Sequence, residues 1–213
     1  MAAAGSRRLP RAERERQMLD AAVATFARRG YRAASMDEIA EAAGVSKPLV
    51  YLYLNSKDEL FSACIRREAA ALTAAVRDAV EVGATPERQL WSGLLGFFEH
   101  TAAHPDGWAV LYSQARTVGE PFAAEVAVLR SEIVDFVAAL LTAACGSRDV
   151  AAYAHALVGA AESLAGWAAT APDPAPTGRE LAASLMTFAW SGLSQAVTGR
   201  VEGPAREESG RAG

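Results

Sequence analysis

The sequence has few of the side chains that metal sites, disulfides and catalytic centres require. Its 213 residues include two cysteines and three histidines. Cys64 and Cys145 stand far apart, and neither they nor His100, His104 and His155 have metal-ligand spacing. The sequence contains no G-x-S-x-G nucleophile motif and no phosphate-binding glycine loop. We therefore expect that the protein is not an enzyme, that it holds no metal and no cofactor, and that both cysteines are buried thiols.

Long apolar runs are also missing. No stretch of about 18 residues is apolar and charge-free enough to suggest a membrane span, and the first residues lack the apolar core of a secretory signal. Alternating β-branched residues, typical of strands, are scarce, whereas the helix formers Ala, Leu, Arg and Glu are abundant. The sequence predicts an all-α protein of the cytoplasm without a membrane partner.

The charges are distributed unevenly along the chain. The net charge is −4. Residues 1–33, however, hold eight arginines against three acids, a net of +5, whereas residues 61–213 hold 11 basic and 17 acidic groups, a net of −6. A basic end on an acidic body suits a small DNA-reading head on a regulatory body, although a solvated run of charges is the plainer alternative.

Turn signals divide the chain into about nine predicted helices. Glycine and proline punctuate the sequence between stretches of helical apolar spacing. We predict helices at about 11–29, 35–43, 47–53, 57–82, 86–104, 106–115, 121–145, 149–170 and 178–200.

Three serines stand where helix N-caps are expected. Ser35 and Ser56 are each followed three residues later by a glutamate, the spacing at which the glutamate side chain reaches back to the capping residue. Ser46 precedes Pro48, which suits the first turn of a helix. Two short helices are therefore expected on either side of a turn at Gly44.

This pair of helices has the spacing of a helix-turn-helix. In that motif the second helix lies in the major groove of DNA, with its N-terminal residues facing base edges. Here those residues are Ser46, Lys47, Pro48 and Leu49. Because Pro48 and Leu49 offer no side-chain hydrogen bonds, base readout is expected from Lys47 and from van der Waals contact.

The residues of this motif carry a family resemblance. Segments 36–47 (MDEIAEAAGVSK) and 51–60 (YLYLNSKDEL) resemble the TetR family of bacterial transcriptional regulators, and the likeness covers about residues 14–61. Leu52 stands where a polar residue is common, which is expected to remove one phosphate contact. Leu54 stands where an aromatic residue is common and reads as a core swap of similar character.

Four side chains are predicted to contact phosphate, which positions the protein on DNA without reading sequence: Ser35, Tyr51, Tyr53 and Lys57. For Tyr51 a place in the core is an equal alternative. Ser35 is expected to be a helix cap first, with phosphate contact as an added role.

The resemblance implies a helical bundle around an apolar pocket, with the last two long helices pairing in a homodimer. We predict an arm at 1–10, a three-helix helix-turn-helix DNA-binding domain at 11–56, a ligand-binding and dimerisation domain at 57–201 and a disordered tail at 202–213. A dimer also suits the DNA geometry, because two recognition helices read a palindromic operator in double-stranded DNA. The predicted function is repression relieved by a small hydrophobic effector. The alternatives are an activator of the same fold and a small-molecule-binding helical protein without a DNA role.

Large aromatic residues and one acid suggest where an effector would bind. All four tryptophans lie in the second domain. Glu162 is the one charge in a helix apolar nearly all round, so it needs an ionic partner or a cavity. It is a candidate for a polar or cationic ligand group, with a salt bridge or a position at the dimer rim as the plainer alternative. The other candidate pocket residues are Trp91, Leu95, Phe98, Trp108 and Tyr112.

The same apolar helix suggests the dimer interface. A helix that is apolar on every face must be buried on every face, by its own core and by a partner subunit. The candidate interface residues, on this helix and on the last one, are Ala156, Gly159, Ala160, Ser163, Trp190 and Leu193.

Overall fold

The computed structural model describes residues 10–145 and 150–198, and within these ranges the fold is all-α. Most of the predicted arm, the predicted tail and residues 146–149 lie outside the described residues. The described helices confirm the predicted class and number: α1 (Arg11–Arg29), α2 (Met36–Ala42), α3 (Lys47–Leu54), α4 (Lys57–Ala79), α5 (Pro86–Ala103), α6 (Pro105–Ala109, continued by Val110–Gln114 and Ala115–Val118), α7 (Phe122–Cys145), α8 (Ala151–Ala168) and α9 (Gly178–Thr198).

Side-chain caps fix the beginnings of two N-terminal helices. The Ser35 hydroxyl accepts from the Glu38 N–H at 3.1 Å, and the Ser56 hydroxyl accepts from the Glu59 N–H at 3.1 Å, as predicted. Ser46 also precedes its helix in an extended conformation, but its side chain makes no cap hydrogen bond, so that part of the prediction is wrong. The beginning of α3 depends instead on Pro48 in its first turn.

The two glutamates of the predicted capping boxes do not reach back to their serines. Glu38 instead pairs with Arg28 and Arg29 at 3.3 and 3.0 Å, at the end of α1. Glu59 accepts from the Asn55 side chain at 2.8 Å. Arginine in the last turn of α1 offers Glu38 a charged partner, which is a stronger interaction than a neutral backbone N–H.

Helix α6 departs from the continuous α-helix that the sequence predicts. Its middle, Val110–Gln114, is a π-helical turn between two short α-helical segments. The turn places Leu111 and Tyr112 towards the interior of the body, while Gln114 reaches Gly30 at the end of α1. A Cβ added to Gly30 would lie 3.2 Å from Gln114 Oε1. Such a bulge depends on its tertiary neighbours, and hydrophobic spacing does not reveal it.

An aromatic cluster joins the N-terminal helices to the body. It consists of Phe26, Tyr31, Phe61 and Phe122, from α1, the α1–α2 loop, α4 and α7. The ring centroids of Phe61 lie 4.8 Å from Phe26, 4.9 Å from Tyr31 and 4.9 Å from Phe122. Phe26 and Phe61 are fully buried. The predicted division at residue 57 therefore crosses a shared core, and α4 belongs to both regions.

Helices α4 and α5 pack at close range, because glycine removes a side chain between them. A Cβ added to Gly96 would collide with the Ala79 side chain and lie 3.0 Å from the Ala75 carbonyl oxygen. Helices α5 and α9 meet in the same way at Gly178, whose added Cβ would lie 2.9 Å from the Glu99 nitrogen. These contacts hold the body as one bundle around its interior.

Two further predictions concern burial and the membrane. Cys64 is fully buried, and burial raises the pKa of its thiol to about 12, as expected of an inert core cysteine. The Cys145 side chain lies outside the described residues. Among the described helices, none combines the length and apolar character needed to cross a membrane.

Candidate functional site

The outer face of α3 is exposed. Lys47 and Pro48, at its beginning, are exposed, and Leu49 is half-buried. Leu52 is 74% exposed and Tyr51 is 40% exposed. Tyr51 is therefore not a core residue, and part of its side chain is accessible from outside. Val50 and Leu54 point the other way into the core, which fits the predicted core swap at Leu54. The helix therefore offers a mixed apolar and hydroxyl-bearing surface.

Lys47 has a partner in the free protein. Its Nζ donates to Asp37 Oδ2 at 2.9 Å, and this hydrogen bond raises the pKa of the lysine. Both side chains are exposed, so the pair is screened by water and adds little to stability. The ammonium remains charged and can exchange one anionic partner for another.

Tyr53 and Lys57 are held by neighbours on the same side of the molecule. The Arg11 guanidinium lies over the Tyr53 ring, 5.2 Å from its centroid. Lys57 Nζ lies 4.7 Å from the Tyr31 ring centroid and donates to the Arg32 carbonyl oxygen at 3.2 Å. Two cations are thereby placed beside α3, although the sequence as a whole is acidic. With exposed Ser35, they form a basic, hydroxyl-bearing surface suited to phosphate.

The body encloses a large apolar cavity. It contains about 1260 Å³ of non-atom space, which includes space open to solvent. Its walls come from α4 to α9 and include Leu72, Leu94, Phe97, Leu129, Phe136 and Leu157. Apolar walls with a few polar groups are typical of a small-molecule site.

The predicted lining is partly corrected. Trp108, Tyr112 and Glu162 do line the cavity. Trp91, Leu95 and Phe98 do not: α5 presents Leu90, Gly93, Leu94 and Phe97 to the cavity instead. Trp91 lies under the Arg179 guanidinium of α9 at 5.5 Å, and the Phe98 backbone packs on Gly178. The prediction therefore named α5 correctly as a wall of the cavity but chose residues on the face beside the one that lines it.

Glu162 is paired on the cavity wall. Arg130 Nε donates to its two carboxylate oxygens at 2.8 and 3.0 Å, and Arg116 Nη2 lies 3.4 Å from Oε2. The carboxylate is 16% exposed. The predicted salt bridge is present, and the same residue faces the pocket.

The candidate interface residues divide into two groups. Ala156 and Ser163 are exposed on α8, and Gly159 and Ala160 are half-buried. Trp190 and Leu193 instead line the cavity, and Leu193 is 7% exposed, so they point into their own subunit. Among the residues of α8 and α9 whose side chains the structure describes, the exposed large apolar ones are Trp167, at 57%, and Phe188, at 79%. Trp167 was not among the residues predicted for the interface.

Two arginines of the cavity wall were also missed. Arg116 and Arg130 lie on α6 and α7, 46 and 32 residues before Glu162. The lone acid of α8 signalled that a buried cation was needed. Sequence spacing does not give the relative register of three helices. It therefore could not predict which arginines pair with Glu162.

An exposed helix-turn-helix joined to a cavity-bearing helical body is typical of DNA-binding transcriptional regulators. Comparison with known proteins gives the family. Residues 18–64 match the family described as "Bacterial regulatory proteins, tetR family", and residues 86–192 match "Tetracyclin repressor-like, C-terminal domain". The chain belongs to the TetR family, a family of transcriptional regulators rather than enzymes.

Similar proteins extend over most of the chain. The HTH-type transcriptional activator FasR of Mycolicibacterium smegmatis is 34% identical over 88% of this chain and 86% of its own. A TetR-like regulator from Rhodococcus sp. RHA1 is 42% identical in its crystal structure, with a TM-score of 0.76 over 88% of this chain and 99% of that chain. FadR from Bacillus subtilis, solved with stearoyl-CoA, shares the fold at 19% identity, with a TM-score of 0.69 over 87% of this chain and 99% of that one.

Proposed function

We propose that the protein is a repressor that binds a palindromic operator as a homodimer in the cytoplasm and is released by an elongated, apolar effector. The observation that carries the proposal is the apolar cavity in the body, since α4 forms one of its walls. The same helix begins at Lys57, in the proposed DNA-contact surface, which consists of Ser35, Lys47, Tyr51, Tyr53 and Lys57. A ligand that prefers one arrangement of this helix shifts the population of binding-competent molecules.

On DNA, the exposed beginning of α3 enters the major groove. Ser46, Lys47, Pro48 and Leu49 face base edges, and Lys47 exchanges Asp37 for a base or a phosphate. Outside the groove, phosphate contacts come from Ser35, Tyr51, Tyr53 and Lys57, which position the protein.

The homodimer is formed by α8 and α9. Trp167 and Phe188 leave apolar surface in water that a second copy would cover. Ala156 and Ser163 on the exposed side of α8 allow close helix approach. A two-fold pair of this kind would hold two α3 helices about 34–36 Å apart, one turn of DNA.

The effector class follows from the cavity and from a structural neighbour. The walls are almost entirely aliphatic and aromatic, which favours a hydrocarbon chain over a sugar or a nucleotide. FadR of Bacillus subtilis was solved with stearoyl-CoA. We assign an acyl-chain ligand, free or as a coenzyme A thioester, to this cavity.

The π-helical turn of α6 provides a second route from ligand to DNA. Leu111 and Tyr112 on this turn line the cavity, and Gln114 reaches Gly30 at the end of α1. A ligand that displaces Tyr112 changes the turn, and the change reaches α1 within a few residues. Helix α4 and this turn therefore both connect the cavity with the N-terminal helices.

Activation is the alternative regulatory sign. It is favoured by the FasR relative, which is described as an activator. The same DNA-contact surface and cavity serve both signs, because the position of the operator relative to the promoter determines the outcome. Transcription in vitro from the protein's own promoter, with and without the protein, separates the two.

DNA binding is tested by fluorescence anisotropy with the full chain and the DNA upstream of its own gene. We expect sequence-specific binding that weakens steeply with salt. The double variant Lys47→Ala, Tyr51→Ala should lose about 10-fold or more in affinity, since hydrogen bonds to charged groups contribute roughly 1.5–3 kcal/mol each.

Arg88→Ala is the matched control, since this exposed arginine lies on the body and pairs with Glu81 at 2.9 Å. It should bind DNA like the wild type. Equal affinity for the upstream fragment and for a shuffled fragment would overturn the DNA-binding proposal in favour of a small-molecule-binding protein without a DNA role.

A further inference from the structure

The cavity carries charge at one place on its otherwise apolar wall. Its ionisable acid and bases among the described residues are Arg116, Arg130 and Glu162, from α6, α7 and α8. The two guanidinium groups meet one carboxylate, which leaves a net charge of +1. An apolar cavity with excess positive charge favours a ligand with a compensating anion.

The geometry leaves donors available. An arginine has five N–H donors. Arg130 directs Nε at Glu162, at 2.8 and 3.0 Å, and no hydrogen bond from its Nη atoms is found within the described part of the chain. Arg116 offers only Nη2 to Glu162, at the longer distance of 3.4 Å, while its guanidinium lies 4.9 Å from the Tyr112 ring centroid. Both arginines can therefore hold a second anion while Glu162 orients them.

A second observation is a buried donor without an acceptor on a residue of the cavity wall. Trp108 also lines the cavity and is 8% exposed, yet its Nε1 finds no hydrogen-bond acceptor among the described residues. A buried N–H without an acceptor is costly. Trp108 stacks on Tyr112 with ring centroids 4.9 Å apart, and Arg116 covers Tyr112. Successive turns of α6 thus present Trp108, Tyr112 and Arg116 to the same cavity. The Trp108 indole N–H and the Arg116 guanidinium can donate hydrogen bonds but cannot accept them.

We propose that Arg116 and Arg130 bind the anionic group of the effector, and that Glu162 is the internal carboxylate that holds both arginines before the effector arrives. The effector is accordingly an apolar chain with an anion at one end, and Trp108 Nε1 donates to one of its oxygens. This inference rests on the proposed effector cavity. A fatty-acid carboxylate and a coenzyme A phosphate share this chemistry.

A cationic effector is disfavoured by the same arrangement. It would have to approach Glu162 past two guanidinium groups, and displacing them would leave buried positive charge without a partner. An anion requires no such displacement. The signs of the charge-changing variants therefore distinguish the two cases.

The test measures binding by the full chain through tryptophan fluorescence, since Trp108 and Trp190 both line the cavity. The probes are hexadecanoate, hexadecanol, hexadecanoyl-CoA and coenzyme A alone. Arg130→Gln should weaken the anionic probe about 10- to 100-fold, the loss of a charge-assisted hydrogen bond, and leave hexadecanol unchanged. Glu162→Gln should tighten binding of the anionic probe, because it removes a negative charge beside the bound anion while the amide oxygen can still accept from Arg130. Trp108→Phe should weaken it without affecting hexadecanol.

Arg66→Gln is the matched control, because Arg66 pairs with Glu125 at 2.7 Å outside the cavity lining. It should bind every probe as the wild type does. Arg116→Gln, at a more exposed site, supplies the same readout if Arg130→Gln fails to fold. Tight binding of hexadecanoate assigns the anion to a carboxylate, and binding of hexadecanoyl-CoA in its place assigns it to a phosphate.

Two results would overturn the inference. The first is an equal loss of affinity for hexadecanol and for hexadecanoate in Arg130→Gln. The second is weaker binding of the anionic probe in Glu162→Gln. Failure of the proposed function has a different signature, in which the wild type binds none of the three chain-bearing probes.

Discussion

The DNA-contact region and the cavity-bearing body are built by different means. In the first, hydrogen bonds between residues three apart fix the beginnings of two helices: Ser35 caps α2 and Ser56 caps α4. In the second, residues far apart in sequence meet. Glu162 forms ion pairs with Arg130 and Arg116, and Gly96 of α5 packs directly on α4. Local rules therefore delimit the helices of the helix-turn-helix, whereas long-range packing determines the shape of the cavity.

The aromatic cluster is where the two regions become one. Phe61 of α4 touches rings from both sides, Phe26 on α1 and Phe122 on α7. A displacement of Phe61 is therefore expected to affect both α1 and α7. The comparison predicts that local changes have small, separable effects and that changes at the cluster affect both regions.

Phe61→Ala should have the largest effect. Truncating a fully buried phenylalanine costs about 3–5 kcal/mol in free energy of unfolding, from lost burial and a remaining cavity. Urea unfolding measures it. Leu52→Ala, at a side chain 74% exposed, is the control and should change stability by less than about 0.5 kcal/mol. A loss confined to one region, with the other unfolding as in the wild type, would contradict the shared core.

Gly96→Ala tests packing within the body. The added Cβ meets the Ala79 side chain and the Ala75 backbone, so α4 and α5 must separate. We expect a loss of about 1–3 kcal/mol, typical of overpacking, even though alanine is the better helix former. A gain in melting temperature would mean that the two helices are free to move apart.

Ser35→Ala and Ser46→Ala test the local rules as a matched pair. Ser35 makes a cap hydrogen bond and Ser46 does not. The first variant should lose about 1 kcal/mol and the second much less, by chemical denaturation without DNA. Equal losses would show that a cap geometry at Ser46 is populated in solution.

Tyr31 gives the smallest and most specific effect, through pH. Burial, together with the hydrogen bond to Asp58, raises the pKa of its phenol to about 12. Because the folded-state pKa exceeds the unfolded one, this contribution is full below about pH 10 and is lost as pH rises to about 12. Stability of the wild type should therefore fall more steeply across this range than that of Tyr31→Phe. If stability falls equally with pH in the wild type and in Tyr31→Phe, a raised pKa of Tyr31 is not the cause of the fall.

The sequence predicted the N-terminal helices well and the lining of the body's cavity only in part. Caps, turn glycine and helical spacing act over a few residues, so α1 to α4 could be delimited and Ser35, Lys47 and Lys57 selected. Trp91, Leu95 and Phe98 were assigned to the wrong face of α5, because aromatic content does not reveal which neighbour a face meets. The π-helical turn and the partners of Glu162 depend on tertiary register, which one sequence does not contain.

We propose that a ligand in the cavity controls DNA binding by the helix-turn-helix. The most direct test of this proposal is the operator affinity of the wild type and of Ala161→Phe, with and without hexadecanoyl-CoA. Ala161 lines the cavity and is 6% exposed, so phenylalanine there occupies ligand space. We predict that the ligand changes wild-type affinity about 5- to 150-fold, as for typical allosteric coupling. The variant should bind the operator and ignore the ligand. An equal response in both proteins would contradict the account.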